Sequence, residues 1–453
     1  MSGPTPVDQI ARARRYRGSS SLIPTTHRLD GNEGRSPPQG LLERLADLSP
    51  ALVRDYPQKS GLEAQLATRF GISAQQVIVT NGADDALDRV ARCYASGGRT
   101  LLTAGPTFEM IERFVRIAGG SYREVPWRDH AFPLEALSGA VDDEVHAIAV
   151  VTPNNPTGRV ASVDAIRTLS ERFPTRLIVA DLAYIEFADR DPTPELLTLP
   201  NVVITRTLSK AYSFAGARVG YAMSGRADII EHIGNAGGPF PVSGLSLALA
   251  SMWIEEGAAH VAASRACVQR ERETIFSALR DCGARPVASQ ANFVWARPDA
   301  PGFFRDALAS IGIAIRAFAD KPALADSVRI TCPQDDALLA RLQVGIASSL
   351  RPQQLWVEPG TLSSGEIARL ARTLPVHLAA PAPSRGGWYL GRQGFERARE
   401  VGMPSFGYAV DVEEAQRAGA AGSFAGVDAV EDALRSCHAA ADAKPGPRQG
   451  AVG

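Results

Sequence analysis

An α/β protein built on a parallel or mixed sheet is predicted by three features of the sequence. Apolar runs of strand length recur at 76–80 (QVIVT), 100–103, 147–151, 177–180 and 202–205. Stretches with helical spacing separate them. Each run ends in small, polar or Gly/Pro-rich residues: NGADDA (81–86), GPTF (105–108), TPNNPTG (152–158), Asp181, and the turn that carries Lys210. Polar residues just past successive strand ends mark a sheet whose ligand lies outside its carboxyl edge. The third feature is length. A chain of 453 residues exceeds one such sheet, so further domains are expected.

Composition narrows the function classes. Hydrophobic residues make up 45% and charged residues 21%, ordinary for a soluble globular protein. Lys and Arg total 48 against 49 Asp and Glu, which argues against a general nucleic-acid or anionic-membrane binder. Cys93, Cys267, Cys282, Cys332 and Cys437 are scattered without metal-ligand spacing, so no metal is expected and a reducing cytoplasm is. No apolar run approaches the ~18 residues of a membrane span. The start, MSGPTPVDQIARARRYRGSS, has no apolar signal core and reads as a frayed, solvated segment.

In chain order, LDGNEG (29–34) followed by Pro37-Pro38 reads as a loop. Residues 41–48 form a short amphipathic helix. RDYP (54–57) is a loop in which Tyr56 precedes a proline and stays extended. Leu62, Leu66 and Phe70 place one face of a helix over 61–70. The strand 76–80 runs through NGADDA into a helix to about Tyr94. Its amides at 82–84 form an anion site, or simply a tight turn with an Asp cap. The strand 100–103 leads into a helix over 109–117. Helices over 245–256 and 262–279 lead to a smaller domain with strand-like pieces at 291–295, 313–316 and 328–331.

The chemistry centres on TRTLSKAYSFAGARVGY (205–221). A lone lysine after a strand is ordinarily a solvated side chain. Here Thr207, Ser209 and Arg218 surround Lys210 with groups that together can hold a dianionic phosphate. A lysine beside a phosphate pocket suits imine chemistry with pyridoxal 5′-phosphate (PLP). That chemistry needs a lysine, a carboxylate for the pyridine nitrogen, a donor for the ring oxygen and a phosphate grip. The chain offers each at a strand end or turn.

Residues 24–348 resemble the fold-type I PLP-dependent aminotransferases, in particular the histidinol-phosphate aminotransferase branch. The resemblance rests on LDGNEG (29–34), RDYP (54–57), NGADDAL (81–87), GPTFEM (105–110), TPNNPTG (152–158), DLAYIEF (181–187), TLSKAYSFAGARVGY (207–221), ANFVW (291–295) and VRIT (328–331), in the family's order. It implies that Lys210 forms the Schiff base and that Asp181 pairs with the pyridine nitrogen. Tyr184 and Asn155 would hold the ring oxygen, and Phe108 would stack on the ring. Ala83, Asp84, Thr207, Ser209 and Arg218 would hold the phosphate. Tyr56 would reach the phosphate of a neighbouring subunit, which implies a homodimer. Arg329 would grip the substrate carboxylate, with Asn32 at the substrate mouth. The implied partners are a small-molecule amino donor and a 2-oxo acid.

Leu182 stands where the family has Glu, the usual proline near Gly34 is missing, and VRIT continues into Cys332-Pro333. These departures lie on the substrate side. They leave open a decarboxylase of a phosphorylated amino acid, similar to threonine-phosphate decarboxylases, beside the transaminase. A scaffold with the PLP fold but no catalysis is a third alternative, opposed by the intact Lys210 and Asp181.

The domain reading places the aminotransferase-like region at 1–350. Its large domain spans about 50–260, and its small domain is the N-terminal segment plus about 261–350. Residues 351–443 form a separate α/β unit, and 444–453 a Pro/Gly-rich disordered tail. Strand-like pieces fall at 354–357, 376–379 and 405–409, with helices over 363–372, 395–401 and 430–441. LWVEPGTL (355–362) and WYLGRQGFERAREVGMPSFGY (388–408) resemble the first and last motifs of haloacid dehalogenase-like phosphatases. Val357 and Pro359 occupy the positions of that family's aspartates, with Glu358 as the only carboxylate there, and the metal loop reads GRQG (391–394). A degenerate domain used for packing or assembly is therefore expected, with a generic Rossmann-like α/β appendage as the alternative.

Overall fold

The computed structural model describes residues 3–13, 15, 21–128, 131–380 and 387–442; the tail from 444, expected to be disordered, lies outside them. The chain divides into two compact units. One comprises Met1–Tyr16, Glu33–Cys267 and Ser289–Asn292; the other comprises Arg17–Asn32, Val268–Ala288 and Phe293–Gly453.

The first unit is organised on a seven-stranded sheet. Its order is Val77–Thr80, Gly220–Ser224, Val202–Thr207, Leu177–Asp181, Val145–Val151, Thr100–Gly105 and Ser121–Pro126. Gly220–Ser224 runs antiparallel to both neighbours and the remaining pairs are parallel. The sheet is thus mixed. The antiparallel strand was not foreseen, because glycines and an arginine precede it. Both faces are buried: Ile78, Val203, Val179 and Ala149 point to one side, and Val79, Ile204, Ile178 and Ile148 to the other. Burial on both faces explains why these strands read as unbroken apolar runs.

Helices cover the faces. Gly82–Tyr94 sends Ala86, Leu87 and Val90 inward, and Glu109–Ile117 sends Ile111 and Val115. Ser162 starts Val163–Arg172 by accepting a hydrogen bond from the Ala165 amide, and Ser243 starts Gly244–Glu256 by accepting one from the Ser246 amide. The helix expected over 41–48 is a short α-helix, Gln39–Glu43, that continues as a 3-10 turn, Arg44–Asp47.

The second unit holds two sheets. One has the order His27–Leu29, Ile313–Ala317, Val328–Thr331, Phe293–Arg297, Arg285–Val287; the first pair is parallel and the rest antiparallel. The strand expected at 291–295 starts two residues later. Ser289–Asn292 belongs to the first unit, where the Gln290 amide donates to the Gly158 carbonyl at 2.8 Å.

The other sheet is all parallel, in the order Val376–Leu378, Gln354–Val357, Gly387–Gly391, Ser405–Tyr408, Ser423–Phe424. Counted along the chain this is 2-1-3-4-5, one of the doubly wound orders, with its switch point between the first and third strands. At that point the Glu358 carboxylate accepts from the Arg392 amide at 2.6 Å and the Gln393 amide at 3.3 Å.

Within this unit the C-terminal sheet shares its core with the smaller domain. Phe303 and Ala307, on the helix Pro301–Ser310, pack with Leu355, Trp388 and Phe406. The Trp388 indole N–H donates to the Ser348 carbonyl at 2.8 Å. The Arg341 guanidinium donates to the carbonyls of Ile311 and Arg399, one on each side of the joint.

Candidate active site

The carboxyl edge of the seven-stranded sheet collects the residues singled out around Lys210. Val151, Asp181 and Thr205 lie in register on adjacent parallel strands. Asp181 is 3% exposed and accepts a hydrogen bond from the Thr205 hydroxyl at 3.0 Å. Burial raises its pKa to about 6, with the Asp84 charge adding to the rise; the Thr205 hydroxyl, the Ala183 amide and the Lys210 ammonium oppose it. A buried carboxylate held this way is short of a cation.

Lys210 follows Val202–Thr207 in a compact turn. The Leu208 amide donates to the Val219 carbonyl, the Phe214 amide to the Leu208 carbonyl and the Ser213 amide to the Lys210 carbonyl, at 2.9, 2.9 and 3.0 Å. Lys210 Nζ lies 5.6 Å from the ring centroid of Tyr184, which is buried at the end of the neighbouring strand. Its charge acts on Asp181. The lysine, the buried acid and the phenol are therefore one cluster.

A second cluster faces the start of the helix Gly82–Tyr94. Thr207 Oγ1 donates to Ser209 Oγ at 2.9 Å, and the Ser209 amide to Thr207 Oγ1 at 3.1 Å. Arg218 has φ 56°, unusual outside glycine, and its guanidinium reaches Ser209 Oγ at 3.4 Å and Asp84 at 3.2 Å. Gly82 has φ 75°, and a Cβ there would meet Arg218 Nη2 at 2.6 Å. Gly220 passes so close that a Cβ would meet the Ala83 amide nitrogen at 2.5 Å. Two glycines thus open a cradle whose donors are a helix N-terminus, two hydroxyls and a guanidinium, the donor set of a phosphate site. Asn81 precedes the helix without capping it through its side chain.

Asn155 is 8% exposed, in the loop after Val145–Val151. That loop is held by Asn154, which accepts from the Thr107 hydroxyl at 2.7 Å and donates to the Pro106 carbonyl at 2.9 Å. The same contacts anchor the turn that carries Phe108, which packs partly buried against the core. Tyr56 is 75% exposed and stacks on Phe240, with ring centroids 4.4 Å apart.

Arg329 and Asn32 belong to the second unit. Arg329 is buried, donates to the Asp30 carbonyl at 2.5 Å and lies 5.3 Å from the Phe293 ring centroid. Thr331 Oγ1 is 3.1 Å from the Asn32 amide and 3.0 Å from Asn32 Oδ1. Sequence reading assigned no role to Thr205 or Gly220, and gave Gly82 only its amide in the 82–84 anion site. Their parts follow from strand register and close approach, which only the folded sheet displays.

Comparison with known proteins places these residues in context. The sequence pattern of the family described as aminotransferase class I and II matches residues 32–343. An aromatic amino acid aminotransferase of Mycobacteroides abscessus is 34% identical over 317 residues, 68% of this chain and 89% of that protein. A histidinol-phosphate aminotransferase of Stutzerimonas stutzeri is 34% identical over 268 residues, 56% of this chain and 70% of that protein. The crystal structure of histidinol-phosphate aminotransferase from Sinorhizobium meliloti, in complex with pyridoxal-5′-phosphate, superimposes with a TM-score of 0.65. It is 27% identical, covering 76% of this chain and 98% of that one.

Proposed function

The chain belongs to the aminotransferase class I and II family, and on that premise we propose that its amino donor is an aromatic amino acid or an amino-alcohol phosphate such as histidinol phosphate. The acceptor is a 2-oxo acid. The observation that carries the site assignment is the buried Asp181 beside Lys210 at one sheet edge, next to a two-glycine anion cradle. Relatives named for aromatic and histidinol-phosphate donors support the substrate class.

Pyridoxal phosphate, the family's cofactor, supplies a carbonyl for amine exchange and a ring that accepts electrons from the substrate Cα. The residues fit it. A protonated pyridine nitrogen is the cation that Asp181 is short of. The amides of Ala83 and Asp84, the hydroxyls of Thr207 and Ser209, and Arg218 would take its phosphate. Tyr184 and Asn155 would donate to its ring oxygen, and Phe108 would cover one ring face.

Lys210 Nζ would be the amine that holds the cofactor and gives way to the substrate amine, and once free it would be the base that moves the substrate Cα proton. Asp181 would keep the ring nitrogen protonated. The family resemblance assigns the substrate carboxylate to Arg329, a role its planar fork would suit, and the substrate mouth to Asn32.

We assign Tyr56 to the cofactor site of a second subunit in a homodimer. Exposed Val53, Tyr56, Phe240 and Leu245, all in the first unit, supply apolar surface for it. Among the described residues no helix is long and apolar enough to cross a membrane, and the cytoplasm is the compartment proposed. The C-terminal sheet is read as a degenerate haloacid dehalogenase-like domain. Glu358, its one acid at the expected position, is engaged by two backbone amides.

The test is a screen of amino donors against the purified holoenzyme, with keto-acid product and CO₂ both measured. Transamination of aromatic or histidinol-phosphate donors supports the proposal. CO₂ release from a phosphorylated amino acid replaces it with the decarboxylase reading.

A further inference from the structure

We propose that His260 is a positioning residue for Lys210, acting through Ser213. The inference rests on the assignment of Lys210 as the reactive lysine.

Ser213 stands three residues after Lys210 with φ 64°, the left-handed region that glycine tolerates and serine does not favour. Its amide donates to the Lys210 carbonyl at 3.0 Å, so its conformation sets how the turn closes. The Ser213 hydroxyl lies 3.0 Å from His260 Nε2. His260 sits near the start of the helix Ala258–Asp281 and is 9% exposed. Its ring packs on the Trp253 ring, with centroids 5.2 Å apart. The Trp253 indole N–H donates to the Tyr212 carbonyl at 2.9 Å. The Arg35 guanidinium donates to the His260 carbonyl at 3.4 Å.

Two side chains, one on each side of Gly257, therefore hold two consecutive residues of the lysine turn. Trp253 fixes the Tyr212 carbonyl, and His260 fixes Ser213, whose backbone is in the left-handed region. Strain that persists at such a position requires surroundings that over-determine it, and it gathers where geometry serves function. Burial and the Arg35 charge lower the His260 pKa, which keeps the imidazole neutral near pH 7 with one nitrogen free to accept.

The experiment uses the full-length holoenzyme. The variants are His260→Phe, which keeps the ring packing, Ser213→Ala, which keeps the Cβ, their double variant, and His260→Gln, which keeps a hydrogen-bonding group. Ser213→Gly is added because it relieves the backbone and should fold. The readouts are kcat and KM, the pH midpoint of the visible cofactor band, and thermal unfolding of the cofactor-free protein.

If His260 acts through Ser213, each single variant lowers kcat by about tenfold to a hundredfold with little change in KM. Each also moves the band's midpoint. The double variant is no worse than either single one, and His260→Gln recovers part of the loss. An unmoved band midpoint in His260→Phe and Ser213→Ala overturns the proposal, as do losses that add in the double variant. A Lys210→Ala control that keeps both band and turnover would instead overturn the Lys210 assignment itself.

Discussion

At the scale of single residues, Asp181 carries the clearest consequence. In the cofactor-free protein its folded pKa is raised by burial to about 6, above the unfolded value. Its contribution to stability is present in full below the unfolded pKa and is lost as pH rises through about 6. Cofactor-free protein should therefore lose stability between about pH 4 and pH 6. Asp181→Asn should remove that slope, with up to roughly 3 kcal/mol at stake. Denaturant melts across this pH range check it, and an unchanged slope in the variant contradicts the burial argument. In the holoenzyme the same substitution should lower turnover by several orders of magnitude. A loss below about tenfold, ~1.4 kcal/mol, would mean that Asp181 is not the partner of the pyridine nitrogen. Lys210, Asp181 and Arg218 could be singled out from the sequence because each stands at a strand end or in the turn that follows one. Thr205 could not, because its contact with Asp181 depends on which strands are neighbours.

At the scale of elements, the turn into the helix Gly82–Tyr94 is the piece to test. Gly82→Ala forces a left-handed backbone on alanine, costing ~1–2 kcal/mol. It also drives a methyl group against the Arg218 guanidinium. The guanidinium is the end of a flexible side chain and can swing away, so the larger effect falls on the phosphate grip. Cofactor affinity should drop by more than tenfold while the protein stays folded, as read by a cofactor titration beside a thermal melt. Unchanged affinity would mean that this turn does not hold the phosphate. Strand ends and helix starts in this region were legible because both sheet faces are buried and apolar runs stop where the turns begin. Gly220–Ser224 was not legible: last of the seven strands in the chain, it lies second in the sheet and pairs antiparallel with both neighbours, neither of which leaves a local signal.

At the scale of the whole molecule, the C-terminal sheet is continuous with the core of the second unit. Ending the chain at Arg351 would uncover Phe303 and Ala307 and leave the Ser348 carbonyl without its indole donor. Such a truncation should aggregate or melt well below the full chain, checked by sedimentation and calorimetry. A monodisperse, fully active truncated protein would contradict the shared core. On the proposed reading of the C-terminal sheet, the full chain should show no Mg²⁺-dependent hydrolysis of phosphate monoesters, since Val357 and Pro359 would stand where that chemistry needs acids. Hydrolysis that vanishes in Glu358→Gln would reveal a second enzyme. Sequence alone marked this region as a separate α/β unit but not its fusion to the smaller domain, because Phe303 and Trp388 meet only through the fold.

The central claim is that Lys210 is the cofactor lysine. The chain has four lysines, at 59, 210, 321 and 444. Lys59 is paired with Glu63 at 2.8 Å, and Lys321 belongs to the second unit. Reducing the holoenzyme with borohydride and mapping the cofactor mass onto peptides tests the claim most directly. The account predicts the added mass on the Lys210 peptide alone and no covalently attached cofactor in Lys210→Ala. Added mass on Lys59, Lys321 or Lys444, or a variant that still captures the cofactor covalently, would contradict it.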